Sequence, residues 1–484
     1  MISFFIKTYG CQANVADSEG IARFLLDNEC HLVHQEQDAD LIIINTCAIR
    51  DKAEQKLFSY IGQLAPLKKA KPYIKIGIIG CVASYKKTEI YQSFDHVSFV
   101  YGARDEMQSL QAYLADAIEK IKTLKQLFTE NPSAPVSARN RQDRDIKKLV
   151  ERKSLLSKLA IKPLSAASIS EFNLKKHLTP TQNPNQLTTE NEIKRSYINI
   201  MTGCNKYCSY CIVPFTRGRE TSYPMSDIIA AIERDVQEGA KEVMLIGQNV
   251  NSYIDPQTQA RFPELIEKVA LIPGNFWIRF ISPHPQDMTI DLFDVMARHR
   301  PKIAASLHFP LQAGSDRILH LMNRNYDTKT FLEKIGWIRE KLPGATISTD
   351  IIVGFPGETQ QDFEQTMKMI ELVRFDLIYS FIYSPRRYTK AAEMEDNCSL
   401  DEKTKRLEHL QTRQMEIAAE LNSQLIGKKI KVLVEKRLSH GKLLSRTEGN
   451  LRVLIDGPDA LVGTFVTVRV EHAGPANLQA VLDH

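Results

Sequence analysis

The sequence predicts an α/β protein in three parts. These are a Rossmann-like parallel sheet at the N-terminus, a central partial (β/α)6 barrel and a small C-terminal all-β barrel. Three observations lead there. Short apolar runs alternate with amphipathic helical stretches in two separate regions, the pattern of parallel strands joined by right-handed crossovers. Between residues 120 and 195 that alternation gives way to Pro-, Ser-, Asn- and Thr-rich sequence. Past residue 425 the period becomes that of short strands punctuated by glycine. At 484 residues the chain is too long for one core. Its 43% hydrophobic and 25% charged residues exclude disordered, collagenous and coiled-coil classes. No apolar run is long enough to span a bilayer, and no basic-then-apolar leader opens the chain. The net charge of +5 says little about partners.

The first part carries three strands, Phe4 to Tyr9, Leu41 to Thr46 and Ile74 to Gly80, with helices from Asp17 to Asn28 and Arg50 to Leu64. Residues 120–195 hold 16 Lys/Arg against 7 Asp/Glu, a net of +9, and read as a solvated basic spacer or an RNA-contacting arm. Within them Ile146, Leu149, Val150, Leu156 and Leu159 recur at helical spacing. Six further strands follow, Tyr197–Met201, Glu242–Val250, Asn275–Ser282, Ala305–Gln312, Thr346–Gly354 and Phe375–Ser384, separated by helices. Six such units suit an open barrel better than a closed eight-stranded one. A long charged helix from Asp401 to Leu425 leads into three strands, Lys428–Glu435, Leu451–Ile455 and Gly463–Glu471, of a barrel type often used on nucleic acid. The expected divisions are 1–118, 119–192, 193–422 and 423–484.

Eight cysteines are too few for a disulfide scaffold and point to thiols kept for metal or chemistry in a reducing cytosol. Cys204, Cys208 and Cys211 are spaced C-x3-C-x2-C directly after the first barrel strand. A closed zinc site needs a fourth ligand, and none stands nearby at finger-like spacing. Three thiolates on a 4Fe–4S cube instead leave one iron open to a substrate or cofactor. Cys11, Cys47 and Cys81 each follow the carboxyl end of a strand. In a parallel sheet those ends share one edge, so the three converge there as a second cluster site. Cys30 and Cys398 lack such a context and are bystanders.

These features resemble a known family. The Cys204 loop is similar to that of radical S-adenosylmethionine enzymes. Thr8-Tyr-Gly-Cys-Gln-Ala-Asn14, Asn45-Thr-Cys47 and Gly80-Cys81 resemble the methylthiotransferase branch, and the last part is similar to a TRAM domain. Four further strings, residues 48–56, 203–220, 247–253 and 349–359, resemble the bacterial enzymes that act on N6-dimethylallyladenosine of tRNA.

The resemblance implies transfer of a methylthio group to carbon 2 of that adenosine, next to the anticodon, in the cytoplasm. It implies two 4Fe–4S clusters, on Cys11/Cys47/Cys81 and on Cys204/Cys208/Cys211. The second would bind S-adenosylmethionine, two molecules being used per turnover. It also implies a tRNA anticodon stem-loop as partner, an electron donor such as flavodoxin or ferredoxin, and a monomer. Tyr210 occupies the place of an aromatic near the S-adenosylmethionine adenine. Gly247, Gln248 and Asn249 are expected to present backbone groups to its methionyl part, and Gly354 and Gly357 to permit close cofactor approach. His284 and His308, at strand ends, are expected to be hydrogen-bonded core residues. Arg217, Arg219, Arg386 and Arg387, with Tyr383 and Tyr388, offer guanidinium and aromatic faces for phosphate and splayed bases. Lys428, Lys429, Lys431, Lys436 and Arg446 offer contacts to a nucleic-acid backbone. Two alternatives keep the family but change the target, to a threonylcarbamoyl adenosine of tRNA or a ribosomal-protein aspartate. Another class is a non-catalytic iron–sulfur RNA-binding redox sensor.

Overall fold

The computed structural model describes residues 1–47, 51–105, 107–130 and 192–483, and the chain divides into two compact units, 1–186 and 187–484. In the first unit β1 (Ser3–Tyr9), α1 (Gln12–Asp27), β2 (His31–Leu32), β3 (Leu41–Thr46), α2 (Asp51–Gln63), α3 (Ala65–Ala70), β4 (Lys75–Gly80), α4 (Cys81–Ser93), β5 (Phe99–Gly102) and α5 (Met107–Glu130) follow one another. The five strands are all parallel, in the order β2-β1-β3-β4-β5. Every residue of β3 and β4 is buried, as central strands covered on both faces must be; hence the unbroken run Leu41-Ile-Ile-Ile44. The sequence showed three of these strands. β2 has two residues and β5 four, too few to display a period.

The division expected at residue 119 falls within a helix. Helix α5 continues to Glu130 and fully buries Ile121. Lys120, Lys122 and Lys125, read as linker charge, pair with Asp116, Glu119 and Asp40. The helical spacing of Ile146 to Leu159 lies outside the described residues.

The second unit opens with β6 (Arg195–Asn199), β7 (Met201–Thr202), α6 (Val213–Thr216), β8 (Thr221–Ser222), α7 (Met225–Gln237) and β9 (Glu242–Ile246). Next come α8 (Phe262–Leu271), β10 (Trp277–Phe280), α9 (Ile290–Arg298), β11 (Ser306–His308), α10 (Asp316–Leu321) and α11 (Thr328–Lys341). The partial barrel is completed by β12 (Thr346–Val353), α12 (Gln360–Val373) and β13 (Leu377–Ile382), after which α13 (Leu400–Ser423) crosses to the last part. Its six main strands form two parallel trios, β6-β9-β10 and β11-β12-β13, joined where Ile278 bridges Ile303. The core between strands and helices is built on Ile278, Phe293, Leu307, Phe309, Phe331 and Ile351.

The C-terminal part is a closed barrel, β14 (Lys429–Arg437), β15 (Leu443–Thr447), β16 (Arg452–Ile455), β17 (Phe465–Ala473) and β18 (Leu478–Leu482), in the order β14-β15-β16-β18-β17. Strand β15 escaped the sequence pattern because two of its inward residues, Ser445 and Thr447, are polar. This barrel sits by the amino ends of β6, β9, β11 and β12 and against β10. The turn after β15 supplies the Thr447 and Glu448 carbonyls to the Arg279 guanidinium, at 3.0 and 2.7 Å. Glu448 accepts from the Ala305 amide at 3.0 Å, and the Gly449 carbonyl accepts from the Thr346 hydroxyl at 2.6 Å. Arg279 also binds Glu242 at 2.8 Å, and Arg195 links Glu242 to Glu435, which pairs with Arg446. Burial by itself would raise the Glu242 pKa, but Arg279 and then Arg195 hold the carboxyl below its usual value.

Candidate functional site

Strands β1, β3 and β4 end in register, Tyr9 beside Thr46 and Thr46 beside Gly80. Cys47 and Cys81 are the next residues of their strands, and Cys11 is two past Tyr9. The sheet therefore brings the three thiol-bearing residues to one edge, two strand spacings wide, roughly 10 Å. Cys47 is anchored by its amide, which donates to the Tyr9 carbonyl at 2.9 Å. Cys81 opens α4 and Cys11 precedes α1.

Under this edge lies a buried amide network. Asn14 donates to Asn45 Oδ1 at 2.9 Å, and Asn45 donates to the Asn14 carbonyl at 2.8 Å and to Ser18 Oγ at 3.0 Å. The Cys11 thiol donates to Asn14 Oδ1 at 3.4 Å. Gly80 holds φ +96°, and a Cβ there would come within 2.5 Å of Asn45 Oδ1 and of the Thr46 carbonyl. Gly80→Ala is accordingly expected to destabilise the chain by about 1–3 kcal/mol from backbone conformation alone, read as a lower urea midpoint. A midpoint equal to wild type would contradict this geometry.

The Cys204–Cys211 loop follows β7 and is tied down along its length. The Gly203 amide donates to Gln248 Oε1 at 2.7 Å, and the Cys204 amide to the Gly218 carbonyl at 3.1 Å. Ser209 is held by its amide and hydroxyl to the Met322 and Leu321 carbonyls at 2.9 and 2.8 Å. Asn323 donates to the Tyr207 carbonyl at 2.9 Å. Gly203 is obligatory, because at φ +79° its Cβ would lie 2.0 Å from the Arg219 carbonyl oxygen. Residues 217–219 thus shape the loop through their backbone, whatever their side chains meet.

Burial pushes the Cys204 thiol up to about 11 and the Cys211 thiol up to about 12, and Cys208 adds to both shifts. Among the described residues no three His, Cys, Asp or Glu side chains close around a common point as a formed metal site. None of the eight cysteines is disulfide-bonded. Cys30 and Cys398 are both buried, Cys30 in the core of the first unit. The donor set of each trio, three soft thiols carried on one edge or one loop, fits an iron–sulfur cube.

The other expected residues sort differently. Tyr210 packs against the cluster of Ala313, Met322, Phe355 and Tyr383, with its ring edge-on to Phe355 at 6.5 Å. Gly247 is required by packing, since a Cβ would lie 2.5 Å from Met201 Cγ. Gln248 acts through its side chain, on the Gly203 amide. Asn249 is buried and donates to Glu220 at 3.3 Å and Asp287 at 2.8 Å, while its Oδ1 accepts nothing. Gly354, at φ +66°, faces the Lys403 side chain, 2.3 Å from where a Cβ would be. Its close neighbour is helix α13. Gly357, at φ +83°, has only Leu321 within reach of a Cβ among the described residues.

His284 is buried, with Nδ1 accepting from the Gln286 amide at 3.2 Å and Nε2 unpaired. Burial first, then Arg324, Lys206 and Lys334, hold this imidazole neutral. His308 bridges Ser348 and Asp350, both at 3.1 Å.

Two expectations about nucleic-acid contacts need correction. Tyr383 is buried against Phe355 and offers no face to a base; only Tyr388, exposed and 6.2 Å from Phe215, does. Of the C-terminal cations, Lys429 pairs with Asp483, Lys436 with Glu192 and Arg446 with Glu435. Arg446 therefore helps to fasten the barrel. Sequence reasoning missed Glu220, which accepts from the Asn205 amide at 3.1 Å. It also missed Arg324, whose partner Cys208 lies 116 residues away.

Comparison with known proteins agrees with this layout. Residues 3–102 match a model described as an uncharacterized protein family, UPF0004; 198–370 match the radical SAM superfamily; 423–482 match the TRAM domain. A protein of Chlorobium luteolum named tRNA-2-methylthio-N(6)-dimethylallyladenosine synthase is 36% identical over 98% of this chain and 96% of its own length. One of the same name from Carboxydothermus hydrogenoformans is 36% identical over 99% of both chains.

The chain belongs to the radical S-adenosylmethionine methylthiotransferase family.

A third relative of that name, from Legionella pneumophila, is 37% identical over 99% of this chain and 97% of its own. The radical S-adenosylmethionine methyltransferase TsrM of Kitasatospora setae is 12% identical, covers 81% of this chain and 75% of its own, and has a TM-score of 0.51, a likeness of fold. The radical SAM domain of this methylthiotransferase implies a 4Fe–4S cluster and S-adenosylmethionine. Among the described residues no helix is long and apolar enough to cross a membrane.

Proposed function

We propose that this methylthiotransferase places a methylthio group on carbon 2 of N6-dimethylallyladenosine beside the tRNA anticodon, in the cytoplasm. One 4Fe–4S cluster would be held by Cys204, Cys208 and Cys211, and a second by Cys11, Cys47 and Cys81. The observation that carries the reading is the register of β1, β3 and β4, which delivers three cysteines to one sheet edge, alongside the separate trio in the second unit. The name shared by full-length relatives at 36% identity supports the substrate.

The target C–H is not acidic enough for any positioned base, so the reaction calls for radical chemistry that side chains alone do not supply. Cys204, Cys208 and Cys211 would hold a cube able to supply the electron that S-adenosylmethionine cleavage needs, and Cys11, Cys47 and Cys81 one that would supply the sulfur. The chain's part is placement. Gln248 and Asn323 hold the backbone of the Cys204 loop, while Asn14 and Asn45 hold the edge beneath Cys11 and Cys47. Among the described residues, Asn249 Oδ1 and the Tyr383 hydroxyl are buried polar atoms without partners. Asn249 follows β9 and Tyr383 follows β13, at the carboxyl ends where barrel ligands bind. They are suited to the amino and ribose groups of S-adenosylmethionine.

Mass spectrometry of tRNA nucleosides from a deletion strain tests the reading. Loss of 2-methylthio-N6-dimethylallyladenosine, with the unthiolated nucleoside accumulating, is expected. Loss of a threonylcarbamoyl derivative instead, or an unmethylthiolated ribosomal protein, would move the enzyme to another target.

A further inference from the structure

Arg324 is 7% exposed, so its charge is buried. Its Nη1 donates to Cys208 Sγ at 3.3 Å, Nη2 to the Pro310 carbonyl at 3.0 Å and Nε to the Tyr326 hydroxyl at 2.9 Å. Its guanidinium carbon lies 5.0 Å from the centre of the Tyr326 ring. Tyr326 is fixed in turn by the Pro310 and Leu311 carbonyls, at 3.0 and 2.9 Å. Among the described residues no carboxylate lies within ion-pair distance of Arg324. A buried guanidinium calls for an anion to offset it. Burial pushes the Tyr326 hydroxyl up to about 12, so it stays protonated, whereas the Cys208 sulfur would be anionic as a cluster ligand.

Three thiolates outweigh the positive charge of an oxidised cube by one, and reduction makes the excess two. The geometry points to Arg324 as the counter-ion of the cluster on Cys204, Cys208 and Cys211, bonded to a ligand sulfur and favouring its reduced state. Hydrogen bonds to cluster sulfurs and net charge are the levers by which a protein sets such a potential. Tyr326 and the Pro310 carbonyl hold the planar fork so that one Nη–H remains aimed at sulfur, which a lysine cannot reproduce. This inference rests on the proposed reading of those cysteines as cluster ligands.

The test uses the full chain with Cys11, Cys47 and Cys81 replaced by alanine, leaving one cluster. Its reduced-to-oxidised ratio is followed by electron paramagnetic resonance in an anaerobic redox titration. Arg324→Met is expected to lower the ratio about tenfold at fixed potential, equal to 59 mV for one electron, with iron content unchanged and Arg324→Lys falling between. Should Arg324→Met fail to accumulate folded, Arg324→Lys and Arg324→Gln are read the same way. An unchanged midpoint in a variant that keeps its iron overturns the inference. So does a shift seen only when S-adenosylmethionine is added, which would assign Arg324 to that molecule's carboxylate. If replacing Cys204, Cys208 and Cys211 leaves iron content unaltered, the ligand reading fails instead.

Discussion

Replacing Cys204, Cys208 and Cys211 together with alanine is expected to abolish methylthiolation and S-adenosylmethionine cleavage while removing about half of the bound iron. Replacing Cys11, Cys47 and Cys81 is expected to remove the other half and abolish methylthiolation, yet leave cleavage of S-adenosylmethionine by the reduced protein. The two sites fail separately because each trio is held by its own unit. The Cys204 loop is fixed by Gln248, Gly218, Met322 and Asn323, and the Cys11 edge by Asn14, Asn45 and Gly80. Anaerobic iron and sulfide counting, with an assay for 5′-deoxyadenosine, measures both effects. A single trio whose loss empties the chain of iron, or whose loss changes nothing, would contradict the two-site reading.

Arg279→Met is expected to be the most destabilising substitution outside the cysteine sites. Arg279 is 5% exposed, and its loss would leave Glu242 with Arg195 alone, while the Thr447 and Glu448 carbonyls would lose their donor. Removing one partner of a buried pair costs about 3–5 kcal/mol, roughly 10 °C in the melting temperature of a unit this size. Arg279→Lys keeps the charge but cannot reach Glu242 and both carbonyls at once, so it should recover only part of the loss. Arg413 is the control. It also pairs with several carboxylates, Glu371, Glu416 and Glu420, but at the surface, and Arg413→Ala should leave the melting temperature nearly unchanged. Equal shifts for Arg279→Met and Arg413→Ala would show that the buried network contributes nothing special.

The architecture was legible where hydrophobic pattern and topology agree. The unbroken apolar run of β3 announces a central strand, and cysteines that follow strand ends must share an edge once the strands are parallel. Ion pairing was not legible. Lys120, Lys122 and Lys125 read as linker charge because their carboxylates lie on another turn or, for Asp40, on another element. Arg446 read as a nucleic-acid contact for the same reason, since nothing local reveals Glu435 beneath it. Tyr383 stands three residues before two arginines in sequence, yet the chain just past β13 turns it inward to Phe355. Glycines were legible as necessary but not as to why. Gly354 makes room for Lys403 and Gly247 for Met201, both side chains of the chain itself.

The placement of the C-terminal barrel makes this half of the molecule a gauge of length. Its β15–β16 turn is bolted to the start of β12 through Thr346, and the cysteine loop stands past the opposite ends of the strands. The eight residues of β12 span ~26 Å at ~3.3 Å each. A ligand touched at both extremes has to reach across that height, which a folded nucleic-acid stem does and a lone nucleoside does not.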